Sequence, residues 1–350
     1  MLRELAYRAA QGRAARRVMA RLGPAVRLPF GEGPPAPEPR RVLLVITVDT
    51  EGGYVNRSER RLWQGSAPLA FQGYVDGIRN VTEVLDRHGV KGTFFVAPHG
   101  RSATGATLAA VERAIRSIPG GGHEIGLHIH PSSDVALARR TGRSFASGRA
   151  CDLAVTDLEL LAASGRALLE ELLEPRAVLD TVRWGNWALD ERAAHILAAA
   201  GFRVDSSAVP GLRDRGARPR FDWTHARSTE PWSIVPGLLE VPIAMFRLFG
   251  RLCRADLLYG SLVSAALNRH ASRAPNIADP TSPLVFVATT HSTEATYADG
   301  SPTHVVSALD ALLAFARESP LVEVVTLREA VRQRELAALL TGCVRDAPQR

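Results

Sequence analysis

The sequence of 350 residues has few of the residues that mark a secreted or membrane-spanning protein. Its three cysteines, Cys151, Cys253 and Cys343, are far apart and form no Cys-x-x-Cys pair. This argues against a disulfide framework and against a zinc site built on cysteines, and it favours a reducing compartment. Since no run approaches 18 consecutive apolar residues, no membrane-spanning helix is expected either.

Lysine is almost absent, because Lys91 is the only lysine among 43 cationic residues. The formal net charge of +7 is unevenly distributed: residues 1–41 hold nine arginines and three glutamates, and the other 309 residues together carry +1. A charge confined to one terminal arm does not indicate a nucleic-acid partner for the whole protein.

The N-terminal arm is predicted to be a basic amphipathic helix over residues 1–28. Arginines recur from Arg3 to Arg27, so the segment has no apolar core of a secretory signal, and a cytoplasmic location is expected. Two interpretations stay open: a solvated extension, or a helix that contacts the anionic inner face of a membrane. Four prolines within 31–39 predict a stiff linker, so we expect an arm and linker over 1–39, a folded domain over 40–340 and a tail over 341–350.

From residue 41 onward, apolar runs typical of strands alternate with segments of helical periodicity. Strands are predicted at 42–48, 92–96, 124–129, 177–182, 202–204, 238–242, 284–288 and 322–325. Helices are predicted at 74–88, 106–118, 156–173, 189–200, 305–317 and 327–340. This alternation predicts an α/β fold with a parallel sheet, either doubly wound or closed as a barrel. The stretch 208–275 is less regular, and with the loop 53–72 it is expected to shape specificity.

Polar side chains stand just past the ends of five of these strands. They are Asp49, Glu51, His128, His130, Arg183, Asp205 and His291. Because the carboxyl ends of parallel strands converge on one face, these side chains are expected to meet at one rim. A set of unrelated surface residues would not be distributed in this way.

The pair His128 and His130 predicts a metal site. Residues two apart on an extended segment point the same way, about 6.6–7 Å apart, so both imidazoles reach one ion. A carboxylate from Asp49 or Glu51 completes a set of two histidines and one carboxylate with open coordination positions. Such a set suits zinc first, although cobalt, nickel or another divalent ion also fits it.

Seven motifs occur in an order that resembles the polysaccharide deacetylases, the NodB-homology group similar to carbohydrate esterase family 4. They are TVDTEG at 47–52, KGTFFV at 91–96, GHEIGLHIHP at 122–131, VRWGNW at 182–187, GFRVDSS at 201–207, LLEVPI at 238–243 and ATTHS at 288–292. The resemblance covers about residues 40–335. It implies a distorted (β/α)7 barrel, one divalent metal ion, and a hydrolase that removes an acyl group from an N-acylated sugar.

The resemblance also implies a role for each polar residue at the rim. Asp49 is similar to the catalytic base, Arg183 to the arginine that orients this base, and His291 to the general acid. Asp205 is similar to the aspartate that steadies the acid, and a backbone N–H near Asn186 is expected to stabilise the oxyanion. The metal ligands implied in this way are Glu51, His128 and His130.

Four further residues are weaker candidates for substrate binding: Trp184, Asn186, Trp187 and His99. For the two tryptophans, core packing is an equally good interpretation. His123 is expected to make structural hydrogen bonds. Two alternative functions stay open: a deacylase or deformylase of a lipid-linked or nucleotide-linked sugar or another small amide, and a sugar-binding barrel without turnover.

Overall fold

The structure is a computed structural model that describes residues 40–341, except for 58–60, 64–69, 176, 215–220, 249–250 and 273–281. The predicted arm over 1–39 and residues 342–350 of the predicted tail lie outside the described residues. Within the described part, no helix has both the length and the hydropathy needed to span a membrane.

Strands and helices alternate along the described chain, as the sequence predicts. The strands are β1 Val42–Thr50, β2 Tyr54–Asn56, β3 Arg61–Trp63, β4 Thr93–Val96, β5 Glu124–Ile129, β6 Thr181–Trp184, β7 Val204–Asp205, β8 Trp232–Val235, β9 Leu238–Glu240, β10 Met245–Leu248, β11 Arg251–Arg254, β12 Leu284–His291 and β13 Val322–Val325. The helices are α1 Ile78–Arg87, α2 Gly105–Gly120, α3 Val135–Thr141, α4 Val155–Glu170, α5 Glu191–Ala199, α6 Ser261–Ser272, α7 His304–Glu318 and α8 Leu327–Thr341.

The main sheet is a curled, distorted barrel. Seven strands run in the order β12-β1-β4-β5-β6-β7-β9, and all of their pairings are parallel. β8 adds antiparallel to β9, and β13 lies beside the first half of β1. A parallel bridge between Ile243 and Val287 brings the chain after β9 next to β12. The fold is therefore the barrel and not the doubly wound alternative.

The alternation of side chains along β1 explains why one end of the barrel is polar. Leu44 and Ile46 pack into the large core cluster that contains the apolar faces of the helices, whereas Leu43 and Val45 belong to a smaller cluster inside the barrel. Successive side chains of a strand point to opposite faces, so Asp49 continues the inward-facing series. An inward carboxylate at the carboxyl end of this strand faces the barrel mouth, by which we mean the carboxyl ends of the parallel strands.

The structure differs from the sequence-based elements mainly at their ends. β12 continues three residues beyond the predicted strand and includes His291, whereas β6 begins four residues later than predicted. The irregular stretch 208–275 contains β8 to β11 and α6, and the loop 53–72 contains the pairing of β2 with β3. The predicted helix 74–88 begins with a π turn over Gly73–Gly77. A Cβ at Gly77 would lie 2.2 Å from the Ser292 carbonyl oxygen, so glycine permits this close contact.

Candidate active site at the barrel mouth

Strand register brings the predicted site residues together in pairs. In the pairing of β1 with β12, Asp49 lies opposite His291, and in the pairing of β5 with β6, His128 lies opposite Arg183. Neighbouring strands are about 4.8 Å apart, and paired residues of parallel strands project to the same face. Residues 242 positions apart in sequence therefore become immediate neighbours at the barrel mouth.

Glu51, His128 and His130 converge on one point. The Glu51 Oε1 atom lies 2.9 Å from His128 Nε2 and 3.1 Å from His130 Nε2. The three donor atoms lie within 4.8 Å of one another, as the ligands of one ion do. Gly185 makes room for this arrangement, since a Cβ there would lie 2.5 Å from His130 Cε1.

The hydrogen bonds around His128 fit a bound cation. His128 Nδ1 lies 3.0 Å from the Arg183 carbonyl oxygen, which can only accept, so Nδ1 carries a proton. In the neutral ring, Nε2 then directs a lone pair at the Glu51 carboxylate, and two lone pairs repel unless a cation lies between them. Metal-bound histidines usually make such a bond with their other nitrogen. Two imidazoles and one carboxylate are a common zinc set with an open position.

The charge state of Glu51 also suits a metal ligand. Burial raises the pKa of Glu51, but the charge of His130 and the closeness of both histidine rings outweigh burial, and the pKa lies well below its ordinary value. Burial lowers the pKa of His130, yet the Glu51 charge raises it above its ordinary value. The carboxylate is therefore ionised and draws two basic nitrogens towards it.

Asp49 is separate from this cluster because Arg183 binds it. The Arg183 guanidinium is fully buried and donates to Asp49 Oδ1 at 2.6 Å, and it also donates to Thr47 Oγ1 and the Ser206 carbonyl oxygen. Burial raises the Asp49 pKa, but the charges of Arg183 and His291 help to outweigh burial, and the pKa lies below its ordinary value. Glu51 is thus the carboxylate that faces the histidines, and Asp49 is an ionised carboxylate beside them.

His291 lies between two carboxylates at the mouth. Its Nε2 is 3.8 Å from Asp49 Oδ2, and its Nδ1 is 3.3 Å from Glu294 Oε2. The same Glu294 oxygen accepts from the backbone N–H of His291 at 3.0 Å and from Thr290 Oγ1 at 3.2 Å. Burial lowers the His291 pKa, but the charges of Glu294 and Asp49 raise it to about 10. His291 therefore carries a proton at neutral pH.

The prediction that Asp205 steadies His291 is wrong. Asp205 accepts hydrogen bonds from the backbone and hydroxyl of Ser207 at 3.1 and 2.8 Å. It also shares a hydrogen bond with Glu240, whose pKa is raised well above its ordinary value by burial and by the Asp205 charge. β7 lies between β6 and β9, whereas His291 is on β12, and Glu294 occupies the position beside its ring.

Sequence reasoning missed Glu294, although a signal for it exists. A short 3-10 turn, Ser292–Ala295, follows β12, with His291 at its N-cap and Glu294 three residues later. The Glu294 carboxylate accepts from the His291 backbone N–H, as the glutamate of a capping box does. Because the capping residue here is a histidine, the same glutamate also reaches the imidazole.

The four weaker substrate-binding candidates divide between the core and the rim. Trp184 is 1% exposed and its indole N–H donates to the Gly148 carbonyl oxygen at 2.8 Å, so this tryptophan is a core residue and its predicted substrate contact is wrong. Asn186 is exposed and Trp187 is half-buried, on the turn directly after β6, with positive φ angles of 56° and 59°. Both remain at the mouth.

His99 and His123 lie in different surroundings. The His99 ring is stacked on the Phe71 ring, with 6.3 Å between the ring centroids. Gly52, the residue after Glu51, lies beside the His99 ring. Burial lowers the pKa of His99, which makes it a neutral side chain near the candidate metal ligands. His123 accepts from the Gly92 backbone N–H at 3.2 Å and packs edge-on against Phe94, which is the structural role expected for it.

Comparison with known proteins identifies the fold. No protein-family model and no curated protein sequence matches the chain. Among solved structures, a protein from Mycobacterium smegmatis assigned to the polysaccharide deacetylases matches with a TM-score of 0.52 and 16% identity, over 92% of this chain and 99% of that one. The Puue allantoinase matches with a TM-score of 0.52 and 13% identity, over 89% of this chain and 96% of that one. The chain therefore has the NodB-type polysaccharide deacetylase fold that its motifs predict.

Proposed function

We propose that this protein is a metal-dependent hydrolase that removes an acyl group, acetyl first, from the nitrogen of a sugar or sugar conjugate. One observation carries the proposal: the mouth holds two carboxylates with separate tasks. Glu51 converges with His128 and His130, whereas Arg183 holds Asp49 apart from them. A hydrolase that needs both a metal ligand and a free base requires this division.

Glu51, His128 and His130 would hold the ion, with zinc as the first expectation. A divalent ion at such a site lowers the pKa of water and polarises the amide carbonyl. The resemblance of the motifs to those of metal-dependent deacetylases supports this assignment, as does the tautomer imposed on His128 by the Arg183 carbonyl.

Asp49 and His291 would carry out the two proton transfers. Asp49 Oδ1 is bonded to Arg183, so Oδ2 remains to accept a proton from the attacking water. His291 Nε2 lies 3.8 Å from that oxygen and would protonate the departing nitrogen. Glu294 would stabilise the imidazolium on its Nδ1 side, which is the role that the motif resemblance implies for Asp205. Backbone N–H groups near Asn186 are the proposed donors to the oxyanion.

The alternative substrate is a small amide, or a lipid-linked or nucleotide-linked sugar. Similarity to an allantoinase at the same TM-score favours keeping this alternative, because the fold then occurs with more than one kind of substrate. A panel of neutral N-acetylglucosamine oligomers, nucleotide-linked N-acetyl sugars and formamides, each assayed for released acetate or formate, separates these candidates.

Metal removal and return is the test of the proposed function. Hydrolysis is expected to disappear on treatment with a chelator and to return with stoichiometric zinc or cobalt, measured as released acetate together with metal content. If the purified protein binds no divalent ion and hydrolyses nothing in the panel, the binding barrel without turnover is the correct function.

A further inference from the structure

A second arginine, Arg254, lies at the barrel mouth outside the proposed catalytic set. β11 ends at Arg254, and the next residues run beside β12: the Thr289 backbone N–H donates to the Ala255 carbonyl oxygen at 2.8 Å, and Asp256 forms a parallel bridge with Thr289. Thr289 is two residues before His291, so the guanidinium of Arg254 belongs to the same end of the barrel as the general acid.

Two neighbours hold the Arg254 side chain in place. Its Nη2 donates to Asp256 Oδ2 at 3.2 Å, and Asp256 is 1% exposed. Its guanidinium carbon lies 5.0 Å from the centre of the Trp187 ring, on the turn after β6. A planar guanidinium that stacks on an aromatic ring keeps its N–H groups in the plane, where they can bind a ligand.

Arg254 differs from Arg183 in the use of its donors. Arg183 is fully buried and its N–H groups are bonded to Asp49, Thr47, Thr289 and Ser206. The Arg254 side chain is 33% exposed, and within the described residues the bond to Asp256 is its one side-chain hydrogen bond. Since a guanidinium has five N–H donors, most of those on Arg254 stay available at the mouth.

We propose that Arg254, held by Trp187 and Asp256, binds an anionic oxygen group of the substrate, a carboxylate or a phosphate. The proposal rests on the proposed function, and it narrows the substrate to an N-acyl sugar or sugar conjugate that carries a negative charge close to its acyl group. The paired donors of a guanidinium match two oxygens of a carboxylate or phosphate. Trp187, predicted from the sequence as a weaker candidate for substrate binding, then acts as the support of this arginine.

Binding of sugars without an acyl group tests the proposal independently of hydrolysis. The probes are glucose 1-phosphate, glucuronate and glucose, titrated by calorimetry into wild type, Arg254→Met, Arg254→Lys and Arg251→Met. Arg251 is an exposed arginine on the same strand, so its variant removes the same charge away from Trp187. Direct contact between an anion and a metal ion contributes equally to the affinity of wild type and variant. The difference between the two affinities therefore reports on the arginine alone.

Arg254→Met is expected to weaken binding of one or both charged probes by roughly tenfold to a hundredfold, the usual loss for a charged hydrogen bond, and to leave glucose within about twofold. Arg254→Lys is expected to lose less affinity for the charged probes than Arg254→Met does. Arg251→Met is expected to bind all three probes as the wild type does. The charged probe whose affinity falls more in Arg254→Met shows whether the bound group is a phosphate or a carboxylate.

Two results would overturn the proposal. One is equal affinity of the wild-type protein for glucose and for both charged probes. The other is an equal loss of affinity for all three probes in Arg254→Met, together with a lowered melting temperature. That result would show that Arg254 serves to neutralise the charge of Asp256. Neither result depends on turnover, so a failure of the proposed hydrolase, detected by acetate release from N-acetylglucosamine and its 1-phosphate, is recognised separately.

Discussion

Asp49 and Glu51 are two residues apart at one strand end but have different partners, which is why we propose different tasks for them. Arg183 donates to Asp49 at 2.6 Å, whereas Glu51 lies within 3.1 Å of two histidine nitrogens. A carboxylate already bonded to a fixed cation is a poor choice for a metal ligand, and it is well suited to accept one proton. The proposal that Asp49 is the base therefore rests on the placement of Arg183.

Asp49→Asn is expected to lower kcat by about a hundredfold to ten-thousandfold, the usual contribution of a positioned base, with unchanged metal content. The measurements are acetate release and metal analysis of the same preparation. Glu51→Gln is the matched variant and should lose the metal itself. Loss of metal from Asp49→Asn with retention in Glu51→Gln would reverse the two roles.

Glu294→Gln is expected to move the alkaline limb of the pH profile for kcat to lower pH. His291 donates a proton only while protonated, and the Glu294 charge is the largest influence that raises its pKa to about 10. Without that charge the pKa falls, so activity is lost at a lower pH. Asp205→Asn is the control and should leave the limb in place, because Asp205 pairs with Ser207 and Glu240. A shift of the alkaline limb in Asp205→Asn alone would show that Asp205, and not Glu294, is the partner of His291.

At the scale of elements, the turn after β6 serves two sides of the site. Gly185 lets the His130 ring pack against the backbone, and Trp187, two residues later, supports Arg254. The successive positive φ angles of Asn186 and Trp187 are unfavourable for residues with side chains, and such conformations persist where the surrounding structure imposes them. Here the Trp223 indole donates to the Trp187 carbonyl oxygen at 2.8 Å.

Gly185→Ala is expected to weaken metal binding by about tenfold to a hundredfold, as loss of a supporting contact around a ligand does. The added methyl group would lie 2.5 Å from His130 Cε1, so the ring has to leave its position. Competition with a chromophoric chelator measures the affinity. Gly120→Ala, at a helix end where a Cβ meets nothing within 4 Å, is the control. Equal affinity of Gly185→Ala and wild type would show that His130 tolerates displacement.

At the scale of the whole molecule, most of the net charge lies near the N-terminus of the chain, partly in the predicted arm and partly in Arg40 and Arg41 of the described domain. Residues 1–41 carry +6 of the net +7. The described domain begins with Arg40, whose backbone N–H donates to the Ala271 carbonyl oxygen and whose guanidinium contacts the Ser282 carbonyl oxygen. The boundary between arm and domain is therefore expected just before this residue, and peripheral contact with an anionic membrane stays a proposal for residues 1–28.

Deletion of residues 1–38 is expected to leave kcat within about twofold and to reduce sedimentation with anionic vesicles, because each basic residue near such a surface contributes about 1 kcal/mol. Vesicles of neutral lipid are the control and should bind neither form. A loss of catalysis in the shortened protein would show that the arm is part of the folded domain.

Local sequence patterns are enough to predict the alternation of strands and helices, the polar residues at the strand ends and the two-histidine, one-carboxylate set. These features are local, because strand periodicity and the spacing of His128 and His130 act over a few residues. The motif order then predicted the barrel and the roles of Asp49, Arg183 and His291, whose positions the structure brings together.

Which side chains are partners depends instead on tertiary packing. Strand order separates Asp205 from His291, and the turn after β12 places Glu294 beside the His291 ring. Packing against Gly148 makes Trp184 a core residue, and the approach of β11 to the turn after β6 brings Arg254 to Trp187. Contacts between residues far apart in sequence depend on register and on the curl of the whole sheet, which no short stretch of sequence specifies.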